Sequence, residues 1–297
     1  MAPVFAAGSM LNSEFAPAKI NLTLEILGRR PDGYHEIRSL VAFAADAGDR
    51  LTLGPKPFEK TELTGPFAAG IAGSNLVDKA VAALAAAAPD LVLGQLTLEK
   101  NLPVASGIGG GSSDAAAALR LLAGNYPRAG DLRLPAIAHA LGADVPVCLR
   151  NRAAIMTGIG EQIEEVGLPD NLFAVLANPL IDVPQNKTAQ VFKLLGAPAV
   201  PGARQEEKTP NLSTVNDVIA YAAARGNRLA APSRQLFANV ETVLAALAAL
   251  PGSRLQQLSG AGPTCFALFQ SKSAAAAAAA ELAGRRPDWW VKATRLR

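Results

Sequence analysis

Along this chain, apolar and polar positions alternate with a period of two in short stretches and return with the helical period in longer ones. Glycine, proline and aspartate stand between them. The alternating runs 19–27, 35–44 and 50–53 read as strands, separated by turns at Pro31-Asp32-Gly33 and Gly48-Asp49. Runs 95–100, 145–149, 153–157, 173–177, 255–258 and 265–269 also read as strands. Helical spacing predicts helices over 75–88, 113–123, 133–141, 188–195, 216–224, 241–250 and 273–283. Their ends carry the expected signals. Ser74 precedes the first helix as a candidate N-cap and Pro89 follows it, Gly124 ends the second, and Pro135 and Gly142 bracket the third.

Strands and helices mix in both halves without a regular βαβ repeat, which predicts the α+β class. The expected organisation is a leader without periodicity over 1–15, an N-terminal domain over 16–165 and a C-terminal domain over 166–297. Residues 196–211 are rich in Pro, Gly and charge and read as a mobile loop.

Composition narrows the function. Of 297 residues, 50% are hydrophobic but only 5% aromatic, so the apolar content is largely alanine and fits packed helices. The net charge of +3 is spread along the chain with no polybasic arm, which gives nucleic-acid binding no electrostatic support. The longest uncharged run, 255–271, contains Gln, Ser, Gly and Pro and is no membrane segment. No basic n-region opens the chain, and Cys148 and Cys265 lie far apart, which suits a reducing cytosol and a cytoplasmic protein. His35 and His139 are the only histidines, and no residue set has metal-ligand spacing. A G-x-S-x-G nucleophile elbow is also missing.

Glycine is the informative residue. Gly107, Gly109, Gly110 and Gly111 fall within five positions, where an even spread of the chain's glycines would put roughly 0.4. A predicted strand leads into Pro103-Val104-Ala105-Ser106-Gly107-Ile108-Gly109-Gly110-Gly111-Ser112-Ser113, and a predicted helix leads out. Glycines allow successive N–H groups to point into one concavity, the helix start adds a positive dipole end, and Ser112 and Ser113 supply hydroxyls at the cap. This is the pattern of a phosphate cradle, in which a Cβ at Gly110 is expected to meet the phosphates. It is not a Walker A loop, since no G-K-[ST] closes it. It half-matches the dinucleotide fingerprint: Ser112 stands where a third glycine is expected, although Asp131 lies about 20 residues on.

Four segments in order resemble the GHMP kinase superfamily: Ala16-Pro17-Ala18-Lys19-Ile20-Asn21-Leu22 with Arg30-Pro31-Asp32-Gly33-Tyr34-His35-Glu36, the glycine loop, Leu141-Gly142-Ala143-Asp144-Val145-Pro146, and Leu258-Ser259-Gly260-Ala261-Gly262-Pro263-Thr264. The resemblance covers roughly residues 16–270, and the Asp-Gly-Tyr-His segment aligns it with the branch acting on a diphosphocytidyl derivative of methylerythritol. It implies a two-domain fold with the site between domains, and phosphoryl transfer from ATP, with Mg2+, to an alcohol of that substrate, a step toward isoprenoid precursors. By the resemblance, Asp144 is the catalytic base and Lys19 the catalytic lysine. The loop from Pro103 to Ser113 with Asn75 and Lys100 binds ATP. Tyr34, His35, Asn21 and Thr188 contact substrate, and Gly260 and Gly262 support the phosphate loop. No protein carboxylate is implied for the metal, which is expected to be held mainly by phosphates, water and a loop serine. The expected partner is the small molecule alone, with a monomer or weak homodimer. The alternatives are another small-molecule kinase of the superfamily (mevalonate, homoserine or sugar type), a non-catalytic nucleotide-binding protein on the same scaffold, and a dinucleotide-dependent dehydrogenase.

Overall fold

A computed structural model describes residues 12–71, 73, 75–126, 128, 130, 132–184, 186–200 and 208–297. Two sheets organise it. The first contains β1 (Ser13–Asn21), β2 (Glu25–Arg29), β3 (His35–Pro57), β4 (Glu62–Thr64), β5 (Gly94–Glu99), β6 (Ala154–Gly158) and β7 (Gln162–Glu165). The 23-residue β3 is its spine, pairing antiparallel with β1, β2, β5 and β6. The second sheet is antiparallel, in the order β11 (Trp290–Arg295), β8 (Phe173–Asn178), β10 (Cys265–Phe269), β9 (Leu255–Leu258).

Strand alternation sorts side chains into layers. On one face of β3, Val41, Phe43 and Leu51 join a core completed by α1 (Leu76–Ala87), α2 (Gly110–Gly124), α3 (Leu134–Leu141) and α4 (Val145–Arg150). On the other face, Leu40, Ala42 and Ala44 share a core with Ala174 and Leu176 of β8, and Phe266 and Leu268 of β10. The opposite face of the second sheet, with Val175, Ala177, Cys265, Ala267 and Phe269, packs on α8 (Asn239–Ala248) and α9 (Lys272–Arg285). The described residues also contain α5 (Lys187–Leu195), α6 (Val215–Arg225) and α7 (Ala230–Leu236). Four successive alanines, Ala115 to Ala118, are wholly buried, so α2 is slim enough to be enclosed on every side.

Several expectations are corrected. The turn expected at Gly48-Asp49 is absent: β3 runs through it, with Pro17 opposite Gly48 and Ala16 opposite Asp49. Asp49 is buried there because Asn101 N (2.6 Å), Leu102 N (2.8 Å) and the Lys100 ammonium all donate to its carboxylate. The strand expected over 19–27 breaks at Leu22, where the N–H groups of Leu22 and Thr23 both reach the Leu40 carbonyl. The leader expected over 1–15 is shorter at its inner end, since Ser13 to Phe15 pair with Arg50 to Thr52. Residues 1–11 lie outside the described set.

The segment expected as a strand at 145–149 is helix α4; Pro146 suits a first helical turn, where its missing N–H costs nothing. Ser74 is outside the described residues, and the α1 N-cap is Asn75, whose side chain accepts from Asp78 N at 2.8 Å. The segment 196–211 is described only in part; Val200 N donates to Arg29 O at 3.0 Å, which lays its start along β2. Strands β4, β7 and β11 and helix α7 had no clear periodic signal, being three to seven residues long.

Candidate functional site

A cleft of about 1150 Å3 opens beside the glycine loop. Its wall includes nearly every residue that the sequence singled out, and that volume exceeds what one drug-sized ligand needs.

The loop joins β5 to α2, and its carbonyls are tied backwards one after another. Pro103 O accepts from the Ser106 hydroxyl at 2.6 Å, Ala105 O from the Lys187 ammonium at 2.7 Å and Ser106 O from Thr264 N at 3.1 Å. Gly107 O accepts from the Ser259 hydroxyl at 3.1 Å, and Ile108 O from Lys19 N at 2.9 Å. In a trans peptide, N–H and C=O point in opposite directions. Anchoring the carbonyls of residues 105–108 therefore turns the amides of 106–109 away from the protein, toward the cleft.

The helix start is earlier than expected. Gly109, at φ +63°, is the N-cap of α2, so Gly110 to Ser113 lie inside the first turn and no side chain caps the helix. The first helical bond runs from Ser113 N to Gly109 O, and the amides ahead of it lack intrahelical acceptors. A Cβ on Gly107 would sit 2.7 Å from the carbonyl oxygens of Ser259 and Gly262, so the loop touches the glycine turn between β9 and β10 directly. The expectation for Gly110 fails: its Cβ would point inward, 3.5 Å from Lys100 Nζ. It is Gly111, with nothing within 4 Å, whose Cβ direction is open.

Lys19 and Asp144, 125 positions apart in sequence, meet at this loop. Lys19 Nζ lies 3.0 Å from Asp144 Oδ2; the lysine side chain is 4% exposed and the aspartate 38%. Asn21 Oδ1 accepts from the same ammonium at 3.0 Å, and Asn21 Nδ2 donates to Ser39 Oγ at 2.8 Å. The pair is thus held from behind on β1 and β3 and is open in front, where Asp144 begins α4.

At another part of the wall, Tyr34 is 61% exposed on the turn before β3. His35 stacks at 4.6 Å between ring centroids on Phe192, from the α5 helix that also carries Thr188. Partial burial, followed by the charge of Arg29, holds the imidazole below its ordinary pKa, so it is neutral at pH 7. Asn75 lines the cleft with its Nδ2 unpartnered, while its oxygen caps α1.

Lys100 stands in the cleft wall with its ammonium engaged by two aspartates. That ammonium is buried against Asp49 and Asp114, the latter at 2.7 Å. Burial works against that ammonium, yet the two carboxylates outweigh it and hold Lys100 above its usual pKa. Burial pushes Asp114 well above the carboxylate range. Lysine 100 is therefore a strut beneath Gly110 rather than a free cation. Phe192 and Lys187 line the cleft and had not been singled out. Phe192, one turn beyond Thr188, was accessible to helical spacing, whereas nothing local marks Lys187.

The family model described as "GHMP kinases N terminal domain" matches residues 75–152, and the one described as "GHMP kinases C terminal" matches 209–287. The chain is 48% identical over 301 aligned positions, which cover 98% of its length and 97% of the relative's, to a 4-diphosphocytidyl-2-C-methyl-D-erythritol kinase of Dinoroseobacter shibae. It is 46% identical, over 96% of its length and 98% of the relative's, to one so named from Rhodopseudomonas palustris. A crystal structure of a 4-(cytidine 5'-diphospho)-2C-methyl-D-erythritol kinase superposes with a TM-score of 0.75 at 33% identity, covering 96% of this chain and 98% of that one. A homoserine kinase from Cytophaga hutchinsonii shares the fold alone, at TM-score 0.67 and 18% identity.

Proposed function

This chain belongs to the GHMP kinase family, and from that premise we propose that it transfers the γ-phosphoryl group of ATP to a hydroxyl of 4-diphosphocytidyl-2-C-methyl-D-erythritol. The observation that carries the reading is the Lys19–Asp144 pair, open to the same cleft as the row of loop amides.

Phosphoryl transfer asks mainly for positioning and charge stabilisation. In this reading the amides of 106–112 hold the ATP phosphates. Asp144 accepts the hydroxyl proton as the oxygen attacks the γ-phosphorus, and the bond to the leaving ADP oxygen breaks. Lys19 orients the Asp144 carboxylate and steadies the charge gathering on the transferred group. Asn21 fixes the lysine. Tyr34 and Phe192 offer aromatic faces to a cytosine ring, and neutral His35 presents one donor and one acceptor nitrogen to its edge. Thr188 completes that wall. Asn75 has a spare amide donor for the adenine side. Gly260 and Gly262 allow the turn behind the loop to approach it closely.

Magnesium fits this cleft as an ion held chiefly by phosphate oxygens. Ser112, in the first turn of α2, lines the cleft and would add a hydroxyl oxygen, and no three-residue His, Cys, Asp or Glu cluster exists among the described residues. The ion would supply charge neutralisation for the phosphates of ATP.

The test is a coupled ADP-release assay on four alcohols: the diphosphocytidyl methylerythritol, mevalonate, homoserine and galactose. The reading expects turnover with the first and at least a hundredfold lower kcat/KM with the others. Preference for any other alcohol, or ATP binding with no turnover at all, would overturn it.

A further inference from the structure

Lys187 is a buried cation that the mechanism leaves unused. It opens α5 and stands in the cleft wall, only 4% exposed. Its ammonium donates to the carbonyls of Ala105, in the phosphate loop, and of Gly262, in the glycine turn. An ammonium has three N–H donors, so these two contacts leave one over.

Among the described residues, no carboxylate pairs with it. The phosphate loop presents only backbone to it, and residues 259–262 of the glycine turn carry no titratable side chain. Helix α7, packed on α5, brings Arg234, which is engaged with Glu241 at 2.9 Å. Lys193, on α5 itself, is exposed. Arg29 adds a further cation to the cleft wall, while Asp144 pairs with Lys19, and Asp49 and Asp114 pair with Lys100. Burial alone accordingly lowers the Lys187 pKa to about 8.

Two neutral carbonyls could be tied by an uncharged amide. Burying a full charge for that purpose is unfavourable unless an anion completes it. We propose that Lys187 is an anion-completed clamp: it ties the phosphate loop to the glycine turn through Ala105 and Gly262, and its remaining N–H and its charge bind a phosphate oxygen of a nucleotide in the cleft. This rests on the reading of the cleft as the nucleotide site. The phosphate belongs either to ATP or to the cytidyl diphosphate, and the two are separable.

The experiment is calorimetric titration of ATP and, separately, of CDP into the full-length chain at pH 7.0 and 8.5, in two buffers of different ionisation enthalpy. At the higher pH the phosphates are fully ionised and Lys187 is mostly neutral. An arriving phosphate raises the lysine pKa and draws a proton onto Nζ. Wild type is expected to take up more than about half a proton at pH 8.5 with one of the two ligands, and that ligand identifies the phosphate. Lys187→Gln keeps an amide donor for the carbonyls but no charge. It should show no uptake and bind that ligand about tenfold more weakly at pH 7.0. Lys187→Arg should bind within a few-fold of wild type, again without uptake. Nucleotide binding by wild type without proton uptake, at an affinity unchanged in Lys187→Gln, would reduce Lys187 to a structural tie. Wild type binding neither nucleotide would overturn the nucleotide reading and the clamp together.

Discussion

At the scale of single residues, the site depends on what each side chain is prevented from doing. Lys19 cannot turn to solvent, because Asn21 and Asp144 hold its ammonium and leave its side chain only 4% exposed. Asp144, 38% exposed, keeps a carboxylate edge toward the cleft. Replacing Asp144 with Asn preserves shape and removes the proton acceptor. It is expected to lower kcat by about 10²–10⁴ while nucleotide affinity, read by titration, changes little. Activity within a few-fold of wild type would move the base elsewhere. Gly111 gives a second test. Its Cβ direction is empty within 4 Å, so Gly111→Val leaves the fold's contacts intact and intrudes on the space before the helix amides. ATP binding should fall below detection with the thermal unfolding midpoint within about 2 °C of wild type, since an exposed valine costs a helix only tenths of a kcal/mol. Retained ATP affinity would show that the phosphates lie elsewhere.

At the scale of elements, the loop owes its shape to a buried charged knot under α2. Asp49 accepts from Asn101 N, Leu102 N and Lys100, so both of its oxygens are used. Asp114 uses only one; its Oδ1 has no partner, and burial already disfavours its charge. The two aspartates should therefore respond differently. Asp49→Asn is expected to cost about 3 kcal/mol in urea unfolding, because it breaks a buried ion pair and leaves an amide facing N–H donors. Asp114→Asn should cost clearly less, and the reverse order would contradict this account of the knot.

Sequence patterning made the loop legible because an excess of glycine before a helix has one economical explanation, and four ordered segments fixed its company. It misread Asp49 as a turn residue, since Gly-Asp is a turn pair wherever its partners are invisible. It mistook α4 for a strand because the five apolar residues 145–149 fit either period. The two aspartates that occupy the Lys100 ammonium come from distant segments and left no local pattern, and Lys187 carried no local mark because both of its partners are backbone carbonyls from distant segments.

At the scale of the molecule, the two sheets share one continuous apolar core, with Leu40 and Ala42 of the first among Leu176 and Phe266 of the second. The phosphate loop is built by the first half but held by the second. Thr264 N, Ser259 Oγ and Lys187 Nζ anchor three consecutive carbonyls, those of Ser106, Gly107 and Ala105. Ser259 also accepts from Asn21 N at 3.1 Å, which links the turn to the strand bearing Lys19. Orientation of the loop amides is thus a property of the junction between the halves and not of the glycines alone. Ser259→Ala removes the link at both ends. It should destabilise the protein by about 1 kcal/mol and raise KM for ATP several-fold, with KM for the cytidyl substrate less affected. In wild type, ATP should slow amide hydrogen exchange in residues 103–112 and 259–264 together, because tightening the loop tightens what holds it. In Ser259→Ala the two segments should uncouple, the first gaining protection without the second. Protection confined to 103–112 in wild type would mean that the glycine turn merely abuts the loop and that the phosphate cradle is made by one half of the chain.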